Sequence, residues 1–188
     1  MQLKLTLPLP PSVNEYLGYR VVYMNGRAIS QPFETKKAKE YKHYVKAIVN
    51  RELKNQNWSC TNKDNYIDIE MIYYLNKKRK DSHNLEKVLF DSLMFAGLYP
   101  DDDILIPKTN NIYIDKYNPR IEVILSISNK KGIFDNIQHL LEFKQRNCVS
   151  CKKHTYKRSC TILTKALENR IEPSINLVQM VCNEKKSL

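Results

Sequence analysis

Glycine is scarce in this chain, with four in 188 residues. That excludes a glycine-rich phosphate loop, and with it the P-loop and kinase classes, because such loops need several glycines to bring backbone N–H groups against phosphate. No G-x-S-x-G elbow is present, which leaves an exposed-serine hydrolase without its turn. No run of about 18 apolar residues exists. The opening MQLKLTLPLPPS also lacks the long apolar stretch of a signal peptide. These absences lead us to expect a soluble intracellular protein whose five cysteines are reduced. Internal repeats and low-complexity segments are missing too.

What the chain has is positive charge. Formal net charge is +11 and the isoelectric point about 9.4. That balance suits a polyanion such as nucleic acid, and also an ordinary solvated basic face. The charge is uneven: residues 1–125 hold 19 Lys and Arg against 15 Asp and Glu, and residues 126–188 hold 12 against 5. Four of the five cysteines lie in that last third. With 42% hydrophobic residues the chain can bury one main core and a small appendage. The composition shift puts a boundary near Asn129 to Gly132, giving a domain of residues 1–128 and a basic, cysteine-containing extension of residues 129–188.

Periodicity supplies a frame of strands and helices. Leu3, Leu5 and Leu7 alternate with polar residues, so residues 2–7 read as a half-buried strand that the prolines after it end. Residues 20–30 read as two β-prone runs around Asn25-Gly26, a two-residue hairpin signal. Ala38, Tyr41, Val45, Ile48 and Val49 recur at helical spacing. Ile67, Ile69, Met71 and Tyr73 mark another alternating strand. Residues 111–128 read as two strands joined by a turn at Tyr117 to Pro119.

The stretch that carries chemistry is KKRKDSHNLEKVLFDSLMFAGLYPDDD, residues 77–103. Leu85, Val88, Leu89, Leu93 and Ala96 form one helical stripe, with Asp81 or Ser82 able to cap its start and Gly97 then Pro100 to stop it. Asn84, Lys87 and Asp91 share another face. A helix of about 15 residues is roughly 22 Å long, so Asp81 meets Asp101 to Asp103 only if the chain after Gly97 folds back or a second subunit supplies the partner. Two interpretations stand together. Asp81 can be a cap and the aspartates a solvated loop, or the acids can hold Mg²⁺ beside cations that hold phosphate, as phosphodiester hydrolysis requires.

The order LPLPPSVNEYLGYR, then this basic run with its aspartate, Asn84-Leu85, Lys87, Phe90-Asp91 and Ala96-Gly97 before paired acids, then two closing strands, resembles the RusA family of Holliday junction resolvases of bacteria and their phages, over about residues 1–128. The resemblance implies a two-layer α/β (α+β) fold of β-α-β-β-α-β type. It also implies a homodimeric, Mg²⁺-dependent crossover junction endodeoxyribonuclease of DNA recombination and repair, working in a bacterial or phage-infected cytoplasm. Such an enzyme binds four-way junction DNA and nicks opposing strands symmetrically.

Carried over by position, the catalytic, metal-holding carboxylates fall on Asp81 and Asp102, with Asp101 beside the latter, and the family lysine falls on Lys87. Lys77, Lys78, Arg79 and Lys80, with Arg20 near the hairpin, are the expected DNA contacts. The remaining acid of the family's D-x-D-N pattern falls on His83, a departure. Histidine can ligate metal or act as a base, and relative to carboxylate it favours Mn²⁺ or Zn²⁺ over Mg²⁺. Either the site works with one carboxylate fewer, or the domain only binds junctions.

The extension lies outside this resemblance. Cys148 and Cys151 have C-x2-C spacing, and Cys160 with Cys182 or His154 could complete a structural zinc site. Free thiols, a redox pair or an iron–sulfur site are the other readings. The rival function is a non-catalytic DNA- or junction-binding protein with a zinc-stabilised tail.

Overall fold

The computed structural model describes residues 2–60, 65–78, 81–157 and 160–187. The chain divides into two compact units, Met1–Ile127 and Ser128–Leu188. Among the described residues, no helix is long and apolar enough to cross a membrane.

The first unit is built on a four-stranded sheet made by β1 (Gln2–Pro8), β4 (Ile67–Leu75), β5 (Leu105–Ile114) and β6 (Arg120–Ile127), in the order β1-β6-β4-β5. A short helix α1 (Val13–Tyr16), a hairpin of β2 (Leu17–Met24) and β3 (Arg27–Glu34), and helix α2 (Lys36–Glu52) lie between β1 and β4. Helix α3 (His83–Phe95) follows β4, and one 3-10 turn (Asp102–Ile104) precedes β5. The α+β class is as expected. The first six elements, β1-α1-β2-β3-α2-β4, run in the expected order β-α-β-β-α-β, after which α3, β5 and β6 complete the unit; the pair β2–β3 forms a sheet of its own.

Alternation explains the core. Leu3, Leu5 and Leu7, then Ile67, Ile69, Met71, Tyr73 and Leu75, then Ile121, Val123 and Leu125 turn to one face and are buried. Helix α2 buries Ala38, Tyr41, Val45 and Val49, and α3 buries Leu85, Val88, Leu89 and Leu93, all within the same cluster. Asn25 and Gly26 both take positive φ, 51° and 74°, as a two-residue hairpin turn requires. The strands read from residues 111–128 do not pair with each other. Strand β6 lies antiparallel between β1 and β4, while β5 runs parallel to β4 on its other side. A parallel neighbour needs a crossover, and α3 supplies it.

The second unit contains α4 (Ile137–Asn147), α5 (Lys152–Lys157), α6 (Thr161–Leu167) and a two-residue pair, β7 (Ile175–Asn176) with β8 (Val181–Cys182). Phe134, Leu140, Phe143, Cys148, Leu163, Ala166 and Met180 form its core. Buried Asn147 ties it together: its amide donates to the carbonyls of Phe143 and Met180, and its Oδ1 accepts from the backbone of Cys182.

Candidate active site

Helix α3 starts where two aspartate oxygens take up its loose donors. Asp81 Oδ1 accepts from the backbone N–H of His83 at 2.9 Å and Oδ2 from Asn84 Nδ2 at 3.1 Å. The N-cap residue by geometry is Ser82, yet its side chain makes no capping bond, so Asp81 caps from one position further out. The helix ends in a reversal that only a residue at ease with positive φ completes without strain. Gly97 sits at φ 85°, its N–H reaches Met94 O, and Leu98 N–H reaches back to Leu93 O at 3.2 Å.

The chain then returns along the helix, held by buried anchors. Leu98, Tyr99 and Ile104 are almost wholly buried. Tyr99 donates its hydroxyl to Phe90 O at 2.9 Å, and Trp58 Nε1 donates to Leu98 O at 2.9 Å. This return carries Asp102 to within 3.3 Å of Lys87 Nζ. The fold-back after Gly97 is therefore present, and it brings Asp102 to Lys87. Lys87 Nζ also reaches Asp91 Oδ1 at 2.8 Å, and Asp91 Oδ2 accepts from Tyr16 Oη at 2.5 Å. The hydrogen bond to Asp91, then the neighbouring charges of Asp91 and Asp102, raise the lysine's pKa against the opposing pull of partial burial.

A groove of about 470 Å³ opens beside the helix start, lined by Ser12, Glu15, Asn76, Lys77, Asp81 and Asn84. Glu15 is held down to about 2 by its hydrogen bond from Lys37, then by the backbone of Ser12. A larger groove of about 540 Å³ lies on the open face of the sheet, lined by Lys4, Glu70, Asn110 and Glu122 among others, and includes none of these aspartates.

The structure thus brings Lys87, Asp102 and Asp91 together and fixes Asp81 at the helix start. Asp101 is half-buried next to Asp102. His83 is displayed outward, its side chain 78% exposed and its Nδ1 3.1 Å from Glu86. Lys77 and Lys78 are exposed just before Asp81, Arg79 and Lys80 lie outside the described residues, and Arg20 sits on the hairpin with its Nε bonded to Gln31. Among the described residues, no group of three or more His, Cys, Asp or Glu is disposed to hold a metal ion. Asp81, His83, Asp101 and Asp102 are accordingly not a closed cage here, although the three aspartate carboxylates are the hard donors that Mg²⁺ takes.

The zinc expected in the extension is not supported on the same ground: no such group is found among the described residues. Cys148 and Cys151 are buried, Cys160 and Cys182 half-buried, and none of the four is in a disulfide. His154 meets Cys151 through its backbone, donating to Cys151 O at 3.0 Å. Burial, with the other three thiols nearby, pushes Cys148 up to about 11. This unit has an apolar core in which Cys148 takes part.

With this geometry in hand, a comparison with protein families matches residues 8–126 to Endodeoxyribonuclease RusA. The chain belongs to the RusA family. The match falls within the first unit and includes Asp81, Lys87, Asp91 and Asp102, while the second unit lies beyond it. A comparison with curated proteins gives no match. Family membership makes DNA endonuclease chemistry the setting in which the acid and lysine cluster is read. The residue whose role sequence reasoning missed is Tyr16, which stands 75 positions before the aspartate it binds. The only local signal is the PPSVNEY segment that the resemblance already contained.

Proposed function

We propose that this protein resolves Holliday junctions, cutting four-way DNA by paired symmetric nicks as a homodimer and using a divalent cation, Mg²⁺ or alternatively Mn²⁺. The observation that carries this is the convergence of Asp102 and Lys87 in the unit matched to RusA. A pure binder gains nothing from carboxylates beside phosphate, since they repel the ligand unless a cation intervenes. Asp81 and Asp102, helped by Asp101, are the residues that would hold the cation. When bound, it lowers the pKa of its water and stabilises charge on the phosphorus. Lys77 and Lys78 hold backbone phosphates, and Lys87 places its ammonium against a non-bridging phosphate oxygen.

The test is cleavage of a synthetic four-way junction and of a linear duplex of the same sequence, in Mg²⁺, Mn²⁺ or EDTA, by the native protein and by Asp81→Asn. Metal-dependent paired nicks on the junction, lost in the variant, are expected. Tight junction binding without cleavage in any metal would replace the resolvase by a junction-binding protein.

His83 gives a separate expectation. Its outward, solvated position makes it replaceable, so His83→Asp should preserve or raise Mg²⁺-dependent nicking of the junction. Abolished nicking in a folded His83→Asp protein would rule out a ligand role that a hard acid can fill.

A further inference from the structure

Asp91 is the least accessible charge near the site, 7% exposed, and such a carboxylate is tolerated only with its oxygens satisfied. Here both are used, by partners from different elements. Oδ1 takes Lys87 Nζ at 2.8 Å and Oδ2 takes Tyr16 Oη at 2.5 Å. Tyr16 is itself fixed: Lys42 Nζ donates to its hydroxyl at 3.0 Å, lies 5.2 Å from its ring centroid, and pairs with Glu34. A chain of side chains therefore runs from β3 and α2 through α1 to Lys87 and Asp102.

Lysine is a point charge on a flexible four-carbon stem, with three hydrogens to give. Asp91 occupies one and Asp102 a second, which leaves a third for a ligand. Lys87 is half-exposed, and beside Asp91 its ammonium has only the longer contact to Asp102 at 3.3 Å among the described residues, so Asp91 is the main hold on its rotamer. Asp91 itself is buried, with one partner on each oxygen, so it is Lys87 and not Asp91 that is open to a substrate.

We propose that Asp91, aimed by Tyr16, is a positioning residue that sets the Lys87 ammonium beside Asp102 for contact with the scissile phosphate. The inference rests on the nuclease reading for its consequence and on the geometry for its substance. It accounts for an aspartate buried in a basic protein's helix and for the tyrosine that closes the short α1. Misplacing a group that contacts the reacting phosphate costs about tenfold to a hundredfold in rate.

The experiment has two readouts. In single-turnover cleavage of a four-way junction, Asp91→Asn should lower the rate at least about tenfold with junction Kd unchanged within about twofold. In a Lys87→Ala background the same change should cost nothing further, because both act through one ammonium. Separately, mass spectrometry after brief acylation should show Lys87 labelled several-fold faster in Asp91→Asn than in the native protein, with Lys36 and Lys130 unaltered.

Tyr16→Phe should shift both readouts in the same direction by less, and it serves alone if Asp91→Asn does not fold. Additive losses in the double variant, or unchanged Lys87 labelling in both single variants, would overturn the proposal. Faster labelling in a protein that nicks no junction would keep the positioning role and overturn the resolvase reading instead.

Discussion

Asp102→Asn is expected to cut junction nicking by about 10²–10³-fold, the loss seen when one preorganised group acting on developing charge is removed. Asparagine keeps the shape of aspartate and a carbonyl acceptor for Lys87 Nζ, 3.3 Å away in the native chain. What disappears is the negative charge, which is the part that a divalent cation needs. Asp102 is half-buried at the start of a 3-10 turn and none of its side-chain bonds is internal to the core, so the fold should be indifferent to the change. Unfolding midpoints of the two proteins should agree, and single-turnover assays at saturating protein would isolate the rate. Retained nicking would move the role to neighbouring Asp101, which Asp101→Asn then tests.

Tyr99→Ala should have the largest effect on stability, about 3–5 kcal/mol, the range for removing a buried aromatic side chain. The ring is 2% exposed and its hydroxyl bonds Phe90 O, so the substitution opens a cavity and frees the returning segment together. Tyr99→Phe, which loses only that hydrogen bond, should cost about 0.5–1.5 kcal/mol. Denaturant unfolding of the three proteins measures both. The alanine variant, assayed below its unfolding transition, should also nick more slowly than Tyr99→Phe, because the segment it releases positions Asp102. Equal nicking by the two variants would show that Asp102 is placed by something other than this anchor.

Much of the frame was legible because its signals are local. Alternation at Leu3, Leu5 and Leu7 and at Ile67 to Tyr73 marks strands, since successive side chains of a strand point to opposite faces. Asn25-Gly26 marks a turn because both residues tolerate positive φ. The stripe from Leu85 to Ala96 and the stop at Gly97 mark α3 within two residues of its observed ends. Candidate residues on that helix were legible for the same reason: spacing of three and four put Lys87 and Asp91 on one face.

Other features depended on contacts between distant parts of the chain. Nothing in residues 111–128 says that β6 inserts between β1 and β4 while β5 goes to the far side, since strand pairing is chosen by which faces must be buried together. C-x2-C spacing favoured zinc because spacing carries no information about the apolar core that Phe134, Phe143 and Met180 form around Cys148.

By itself, then, the sequence determined the main strands and the two long helices of the first unit, the α+β class, the basic character and the family-like string from Lys77 to Asp103. Each of these follows from backbone preference or from residues a turn or two apart. Only the tertiary structure decided that the segment after Gly97 returns to bring Asp102 to Lys87, and that Tyr16 bonds Asp91 across 75 positions. Those outcomes come from burying Leu98, Tyr99 and Ile104 and from satisfying a buried carboxylate, requirements that exist only once the core has closed.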